Sequence, residues 1–434
     1  MTGLSTRQIR SGTSPSRPQN PVTVPIYQTA AYEFESWEAA RDIFALRRKD
    51  NLYSRTGNPT QIILEERLAA LDEGVAALAT GSGQSAVAVA LLALAKQGEH
   101  IVSSNTLYGG TVDLLTDTFR DFGIDSTLVD PADPEAWRAA IRPETRALFA
   151  ESIGNPTASI LDIRALADIA HEAGVPLIID NTVATPALLR PKEHGADFVV
   201  YSATKHLGGH GTSLAGAIVD LGTFDFGAEP HRWPQFTKPY PRVGDVVLWE
   251  RFGRGGSAFL VYAKTKLVHD LGPALSPYNA HQILLGVETL DIRLARQSSS
   301  TAAVVAFLDR HAGASTVHHP RATGSPYAGL ADRYLEGTPS ILSFDLAAGT
   351  EAIPAFVNAL EHFTLAANIG DARSLIIHPA TTTHSHFDDA QLASAGFSAS
   401  TLRLSIGLED PEDLMADLKQ AFEFVEAFQR NQKG

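Results

Sequence analysis

The chain has 434 residues, no cysteine and two methionines, Met1 and Met415. With no thiol available, disulfides, cysteine-ligated zinc, iron–sulfur clusters and a cysteine nucleophile are all excluded. There are 35 basic and 49 acidic side chains, a net charge of −14, which argues against a nucleic-acid footprint. A hydrophobic fraction of 44% with 19% charged residues suits a chain with a large buried core, and the length admits two or three domains.

Residues 1–25 contain no apolar run of the secretory type. The longest apolar stretch, Ala86 to Ala95, is too short to cross a bilayer. A soluble, cytoplasmic protein is therefore expected. Residues 1–60 form a first segment. Pro15, Pro18, Pro21, Pro25 and Pro59 break any long element there. The same segment carries Tyr27, Tyr32, Phe34, Trp37 and Tyr53, aromatics that a disordered tail would lack. It reads as an arm ordered against its own chain or against a partner subunit.

From residue 61 the pattern changes. Ile63, Leu64, Leu68 and Leu71 have helical spacing. Then follow a strand over Val75–Ala79, a Gly81-Ser82-Gly83 turn, an apolar helix over Ser85–Ala95, a strand over His100–Ser103 and a helix over Val112–Phe122. Further strands are expected over Ala147–Glu151, Pro176–Asp180 and Phe198–Tyr201. A helix over Leu161–Ala173 is closed by Gly174. Short, fully apolar strands separated by helices predict an α/β fold, with a mostly parallel sheet covered on both faces. Such sheets bind ligands beyond the carboxyl ends of their strands. The glycine-, proline- and aromatic-rich stretch 222–257 reads as an ordered insertion. A long helix over Tyr278–Ser298 leads into an α+β region. Its strands are Ile341–Leu346 and Leu402–Ile406, and its final helix is Pro411–Phe428. The expected division is an arm at 1–60, a large domain at 61–288 and a smaller α+β domain at 289–434.

Three strand ends carry chemistry. Asp180-Asn181-Thr182 follows an apolar strand, where a carboxylate is costly unless paired. It reads either as a turn or capping aspartate or as an acid aimed at a cationic ligand group. Ser202-Ala203-Thr204-Lys205 follows the next strand and sets two hydroxyls beside an amine. That is either a solvated lysine with local hydroxyl bonds or a partly desolvated amine of lowered pKa, suited to condense with a carbonyl. Thr80-Gly81-Ser82-Gly83-Gln84-Ser85 opens a helix, whose free N–H groups make an anion site. Gly81-x-Gly83-x-x-Ala86 is also a degenerate dinucleotide fingerprint, but the acid expected at the end of the next strand is missing from Ile101-Val102-Ser103-Ser104-Asn105. One cofactor uses all three sites. In pyridoxal phosphate the phosphate suits Ser82, Gly83, Gln84, Ser202 and Thr204, the ring nitrogen suits Asp180 and the aldehyde suits Lys205.

At these residues the sequence resembles the fold-type I pyridoxal-phosphate enzymes of the Cys/Met metabolism (trans-sulfuration) family, over about residues 5 to 427. Asp180-Asn181-Thr182-x-Ala184-Thr185-Pro186 resembles the family's ring-nitrogen motif, and Ser202-Ala203-Thr204-Lys205 its cofactor-lysine motif. Tyr53-Ser54-Arg55-x-x-Asn58-Pro59-Thr60 resembles the arm whose Tyr and Arg reach the cofactor phosphate of a neighbouring subunit. Tyr108-Gly109-Gly110-Thr111 is similar to the ring-stacking tyrosine motif. Gly154-Asn155-Pro156 and Arg403-Leu404-Ser405-x-Gly407 are similar to positions holding the substrate carboxylate. Thr212-Ser213 with the insertion, Gln84, and Asn368-Ile369-Gly370-Asp371 resemble the O-acetylhomoserine sulfhydrylase branch.

The resemblance implies a γ-replacement: O-acetyl-L-homoserine and sulfide give L-homocysteine and acetate. It gives Lys205 the role of base and proton shuttle, and Asp180 that of ring-nitrogen partner. Tyr108 becomes stacking group and general acid, Thr182 a cofactor contact, and Asn155, Asn368 and Arg403 the substrate-binding set. It further implies a homo-oligomer, a tetramer built of dimers with shared active sites, and no metal. Cystathionine γ-synthase and methionine γ-lyase are the alternatives within the family. A nicotinamide oxidoreductase and a non-catalytic scaffold are the alternatives outside it. His318, His319, His378, His384 and His386 read as loop histidines rather than zinc ligands. Asp388-Asp389 reads as a solvated turn, and Trp233 and Phe236 as packing residues.

Overall fold

A computed structural model describes residues 2–13, 20–253, 255–385 and 387–433. His386, Pro15 and Pro18 lie outside the described residues. The larger sheet has seven strands: β1 (Ala76–Thr80), β2 (His100–Ser104), β3 (Asp125–Val129), β4 (Thr145–Glu151), β5 (Leu177–Asp180), β6 (Phe198–Ser202) and β7 (Gly216–Asp220). Their spatial order is β1-β7-β6-β5-β4-β2-β3. β7 runs antiparallel to both its neighbours, β1 and β6, and the remaining pairs are parallel. The carboxyl ends of the other six strands therefore share one edge.

Alternate residues of these strands enter two different cores, as the two-residue pleat period requires. Val102, Leu148, Leu177, Ile179, Val199 and Val219 pack on one face. Ile101, Phe149, Ile178, Phe198, Val200 and Ile218 pack on the other, under the helix Gly83–Leu94. Burial on both faces is why the strands read as continuous apolar runs.

Two strands of this sheet escape the sequence reading. β3 is polar because it is the sheet's edge and only half-buried. β7 follows the glycine-rich segment after Lys205 and turns back antiparallel to β6. The helix expected over Tyr278–Ser298 is two helices, Pro277–Val287 and Leu290–Leu308. The break follows from Arg293, whose guanidinium takes the Gly286 carbonyl at 2.7 Å and the His206 carbonyl at 2.9 Å. The helix expected over Val112–Phe122 begins earlier, at Gly109, and widens to a π-turn over Leu114–Thr118.

The arm is ordered against its own chain. Asn58, fully buried, donates from Nδ2 to the Tyr27 carbonyl at 2.7 Å, to the Tyr32 hydroxyl at 2.9 Å and to Ser54 Oγ at 3.0 Å. Trp37 and Tyr53 nonetheless stay 72% and 42% exposed. In the insertion a short hairpin, β8 (Pro239–Tyr240) and β9 (Val246–Val247), accompanies an aromatic cluster. Phe226 sits 5.3 Å from Trp233 and 4.3 Å from Phe236, and all three are buried.

The second sheet contains β10 (Ala314–His318), β11 (Ile341–Leu346), β12 (Thr364–Leu365), β13 (Leu375–Ile377) and β14 (Thr401–Ser405). Their order is β10-β11-β14-β13-β12. The helix Pro411–Lys433 covers it, with Phe422 stacked near Phe344 and Phe356. Among the described residues no helix is long and apolar enough to cross a membrane.

Candidate active site

A cavity of about 490 Å³ opens at the carboxyl edge of the large sheet and is closed on one side by Ala367, Asn368, Ile369, Thr383 and Arg403 from the C-terminal part of the chain. It gathers Ser82, Gly83, Gln84, Tyr108, Asn155, Asp180, Thr182, Ser202, Thr204, Lys205, Asn368 and Arg403. Twelve of the fourteen residues singled out from the sequence thus meet in one place. Tyr53 and Arg55 do not line this cavity. They sit exposed on the arm, with the Arg55 guanidinium 5.2 Å from the Tyr53 ring centre.

The helix that follows β1 builds an anion cradle. Ser82 and Ser85 form a reciprocal cap, Ser82 Oγ accepting the Ser85 N–H and Ser85 Oγ the Ser82 N–H, each at 3.1 Å. Gly83 and Gln84 line the cavity, and their first-turn N–H groups are donors that a helix N-terminus offers an anion. Position 83 has to be glycine, because a Cβ there would lie 2.5 Å from the Ser202 Cβ. The Gln84 side chain donates to the Gly110 carbonyl at 2.6 Å, so it holds the Tyr108 loop. Thr204 is fixed through its hydroxyl, which accepts the Ala215 N–H at 3.0 Å.

Asp180 ends β5 beneath the cavity and accepts the Thr182 N–H at 3.0 Å. Burial pushes its carboxyl up to about 6, against the lowering effect of the Thr182 bonds. Thr182 Oγ1 accepts the Ser202 N–H at 2.8 Å and so ties the ends of β5 and β6 together. Tyr108 follows β2, half-exposed at the cavity wall.

Lys205 lies one turn beyond β6. Its Nζ donates to Asn368 Oδ1 at 2.6 Å. Burial lowers its pKa, and the Arg403 charge lowers it further. Arg403 stands on β14 and is buried. Its Nη1 donates to Asn155 Oδ1 at 3.1 Å and its Nη2 to the Asn368 carbonyl at 3.0 Å, while Nε has no hydrogen-bond partner among the described residues. Burial brings its pKa down to about 10, so it remains a cation at neutral pH.

Glu151 is among the cavity residues that were not singled out from sequence. Glu151 ends β4 beside Asp180 and accepts the Tyr108 N–H at 2.6 Å. Its signal was present: like Asp180, it is a carboxylate closing an apolar strand.

The histidines are dispersed. His319 is buried against the Pro339 carbonyl, His378 bonds Thr381 and the Ala399 carbonyl, and His384 is buried. Among the described residues no group of three or more His, Asp or Glu is placed to hold a metal ion. Asp388, expected as a solvated turn, instead caps the helix Asp389–Ser394 in a reciprocal box with Gln391.

The donor set fits pyridoxal phosphate: an anion cradle whose Cβ-free floor is Gly83, an acid at the far end, an amine between them and an aromatic wall. Comparison with known proteins agrees. The chain is 44% identical to an O-acetyl-L-homoserine sulfhydrylase of Leptospira meyeri, over 96% of each chain. It is 39% identical to a homocysteine synthase of Schizosaccharomyces pombe, over 97% of this chain and 98% of that one. The crystal structure of a Campylobacter jejuni protein described as an O-acetylhomoserine (thiol)-lyase superposes with a TM-score of 0.93 at 36% identity. It covers 97% of this chain and 100% of that one, and it carries N'-pyridoxyl-lysine-5'-monophosphate at its position 205. The family model for the Cys/Met metabolism PLP-dependent enzyme matches residues 5–423, and the chain belongs to that family.

Proposed function

We propose that the chain replaces the acetoxy group of O-acetyl-L-homoserine with sulfide, giving L-homocysteine and acetate. The names of its relatives support this reading. The single observation that carries it is Arg403, a buried guanidinium with an unpartnered Nε, joined through Asn368 to the Lys205 amine. A buried cation is costly without a counter-charge. The α-carboxylate of an amino acid supplies that charge, beside an amine placed to serve its Cα.

Pyridoxal phosphate, when bound, supplies the electron sink that makes the Cα proton acidic. The residues do the rest. Asp180, on the cavity wall, would pair with the ring nitrogen and favour its protonated form. The Lys205 amine, at its lowered pKa, takes the Cα proton and carries the next one from Cβ. Tyr108, on the cavity wall, would stack on the ring and serve as general acid toward the departing acetate. Arg403 and Asn155 hold the α-carboxylate, and Asn368 orients Lys205.

The same reading gives the exposed Tyr53 and Arg55 their place, at the cofactor phosphate of a neighbouring subunit. The protein is then a homo-oligomer, a tetramer built of dimers with shared active sites, acting in the cytoplasm on small molecules. Its three parts are the arm at 1–60, the cofactor domain at 61–288 with its insertion at 222–257, and the C-terminal domain at 289–434.

The test is a sulfide-dependent homocysteine assay with acetyl- and succinyl-homoserine, alongside borohydride reduction and peptide mapping of the trapped cofactor. Homocysteine from the acetyl ester and a label on Lys205 support the reading. Turnover that needs cysteine in place of sulfide makes the enzyme a cystathionine γ-synthase, and thiol release from methionine makes it a methionine γ-lyase.

A further inference from the structure

Glu151 and Asp180 are the last residues of neighbouring parallel strands and direct register partners. Register partners point to the same face, so two half-buried carboxyls stand side by side in the cavity. Two adjacent buried carboxyls do not both ionise; they share one charge, and their surroundings decide which holds it.

Those surroundings are unequal. Asp180 accepts the Thr182 backbone N–H at 3.0 Å and also a bond from the Thr182 side chain. The Thr182 oxygen already accepts the Ser202 N–H, which leaves its own hydrogen to give. Glu151 accepts the Tyr108 N–H at 2.6 Å. Donated hydrogen bonds favour the charged form of a carboxyl, and a protonated ring nitrogen opposite Asp180 would add to the same side.

We infer that Glu151 holds the proton of this pair, as a neutral carboxyl that anchors the Tyr108 backbone and leaves Asp180 as the single negative charge facing the cofactor ring. The inference rests on the reading that this cavity holds the cofactor. Burial and the neighbouring Asp180 push Glu151 well above the carboxylate range, while Asp180 reaches only about 6. The other titratable groups around Glu151 are Tyr108, Asp113, Lys205 and Arg403 in the same cavity, and Asp162 and Tyr327 in a smaller cavity of about 250 Å³ that Glu151 also lines. Neither cation of the cavity bonds Glu151: Lys205 donates to Asn368, and Arg403 to Asn155 and Asn368. Glu151 is thus a positioning residue, acting through Tyr108 and Asp180.

Three variants test this. Glu151→Gln keeps an uncharged acceptor for the Tyr108 N–H, Glu151→Ala removes it, and Asp180→Asn is the mirror change. In the apoenzyme, hydrogen exchange at the Tyr108 amide should accelerate at least ~10-fold in Glu151→Ala and be restored in Glu151→Gln. The wild-type-minus-Glu151→Gln infrared difference spectrum at neutral pH should hold the band of a protonated carboxyl. In the loaded enzyme, kcat/KM of Glu151→Gln should stay at least ~10-fold above Glu151→Ala and above Asp180→Asn. The inference is overturned if Glu151→Gln binds cofactor and melts like the wild type, yet falls to the activity of Glu151→Ala or leaves no protonated-carboxyl band in the difference spectrum. A wild type that takes up no pyridoxal phosphate overturns the cavity reading, and this inference with it.

Discussion

Lys205 Nζ donates a 2.6 Å hydrogen bond to Asn368 Oδ1, which joins the turn after β6 to the segment that leads into β13. The asparagine's own carbonyl accepts from Arg403 Nη2 at 3.0 Å. One residue therefore registers the Lys205 amine against the Arg403 guanidinium, although the two follow or stand on strands of different sheets. Asn368→Ala should leave cofactor loading intact and lower kcat/KM about 10-fold, the cost of one charge-assisted bond. Titrating the variant with pyridoxal phosphate and measuring steady-state rates checks both halves. A variant with wild-type kcat/KM would show that Lys205 needs no such tether.

Arg403 makes its two contacts from two different nitrogens, Nη1 to Asn155 and Nη2 to Asn368. A lysine keeps the charge but cannot span both partners or offer a planar fork to a carboxylate. Arg403→Lys should raise KM for the amino-acid substrate by about 10-fold or more, with a smaller change in kcat. An unchanged KM would remove Arg403 from the substrate site.

The position of these residues explains what was legible in the sequence. Asp180, Lys205 and Ser82 could be found because each follows a strand that is apolar on both faces, and the chemistry of such a sheet lies where its strands end. Glu151 obeys the same rule and was passed over, since nothing in a single sequence says that β4 and β5 lie side by side. β3 and β7 were missed for opposite reasons: one is too polar, as an edge strand, and the other follows a glycine-rich turn without a helix between. The pairing of Arg403 with Asn155 joins residues 248 positions apart and was available only through family resemblance.

Asp180 gives a pH signature to the empty-handed protein. Its folded pKa of about 6 is raised above the ordinary 3.8, so the folded state binds the proton more tightly than the unfolded one. Its contribution is then most favourable below the unfolded pKa and is lost as pH rises through about 6. In the apoenzyme, Asp180→Asn should therefore melt progressively higher than the wild type as pH goes from 4 to 7, with the difference levelling off above that range. Adding pyridoxal phosphate should reverse the order, because the ring nitrogen then compensates the charge that asparagine lacks. Thermal melts of both proteins, with and without cofactor, measure this directly. A melting difference that does not change with pH would mean Asp180 is not desolvated in the fold.

Gly83 sets the closest approach between the cradle and the end of β6. An added methyl would lie 2.5 Å from Ser202 Cβ and 2.7 Å from its Cα, and backbone atoms cannot swing aside as a side chain can. Gly83→Ala should cost about 1–3 kcal/mol of stability, the usual range for overpacking. It should also weaken cofactor binding, because Ser202 and the first helix amides are displaced together. Equilibrium unfolding of the apoenzyme separates the first effect from a cofactor titration, which reads the second. A variant that loses stability but binds cofactor normally would place the phosphate away from Gly83.

Tyr53 and Arg55 provide the test of a shared site. The arm is pinned to its own chain by Asn58, yet Tyr53 is 42% exposed and Arg55 stacks over it in the open. If they complete the cavity of a second subunit, Arg55→Ala and Lys205→Ala chains should each be inactive alone. A mixed dimer would then contain one site with both defects and one with neither. Exchange of subunits after mild dissociation, at equal concentrations, should recover about a quarter of wild-type activity, the statistical share of intact sites when chains pair at random. Recovery should also rise with the same time course as heterodimer formation seen by native mass spectrometry. Heterodimers that form and stay inactive would assign Tyr53 and Arg55 to the surface of their own subunit, and the active site would then belong to one chain alone.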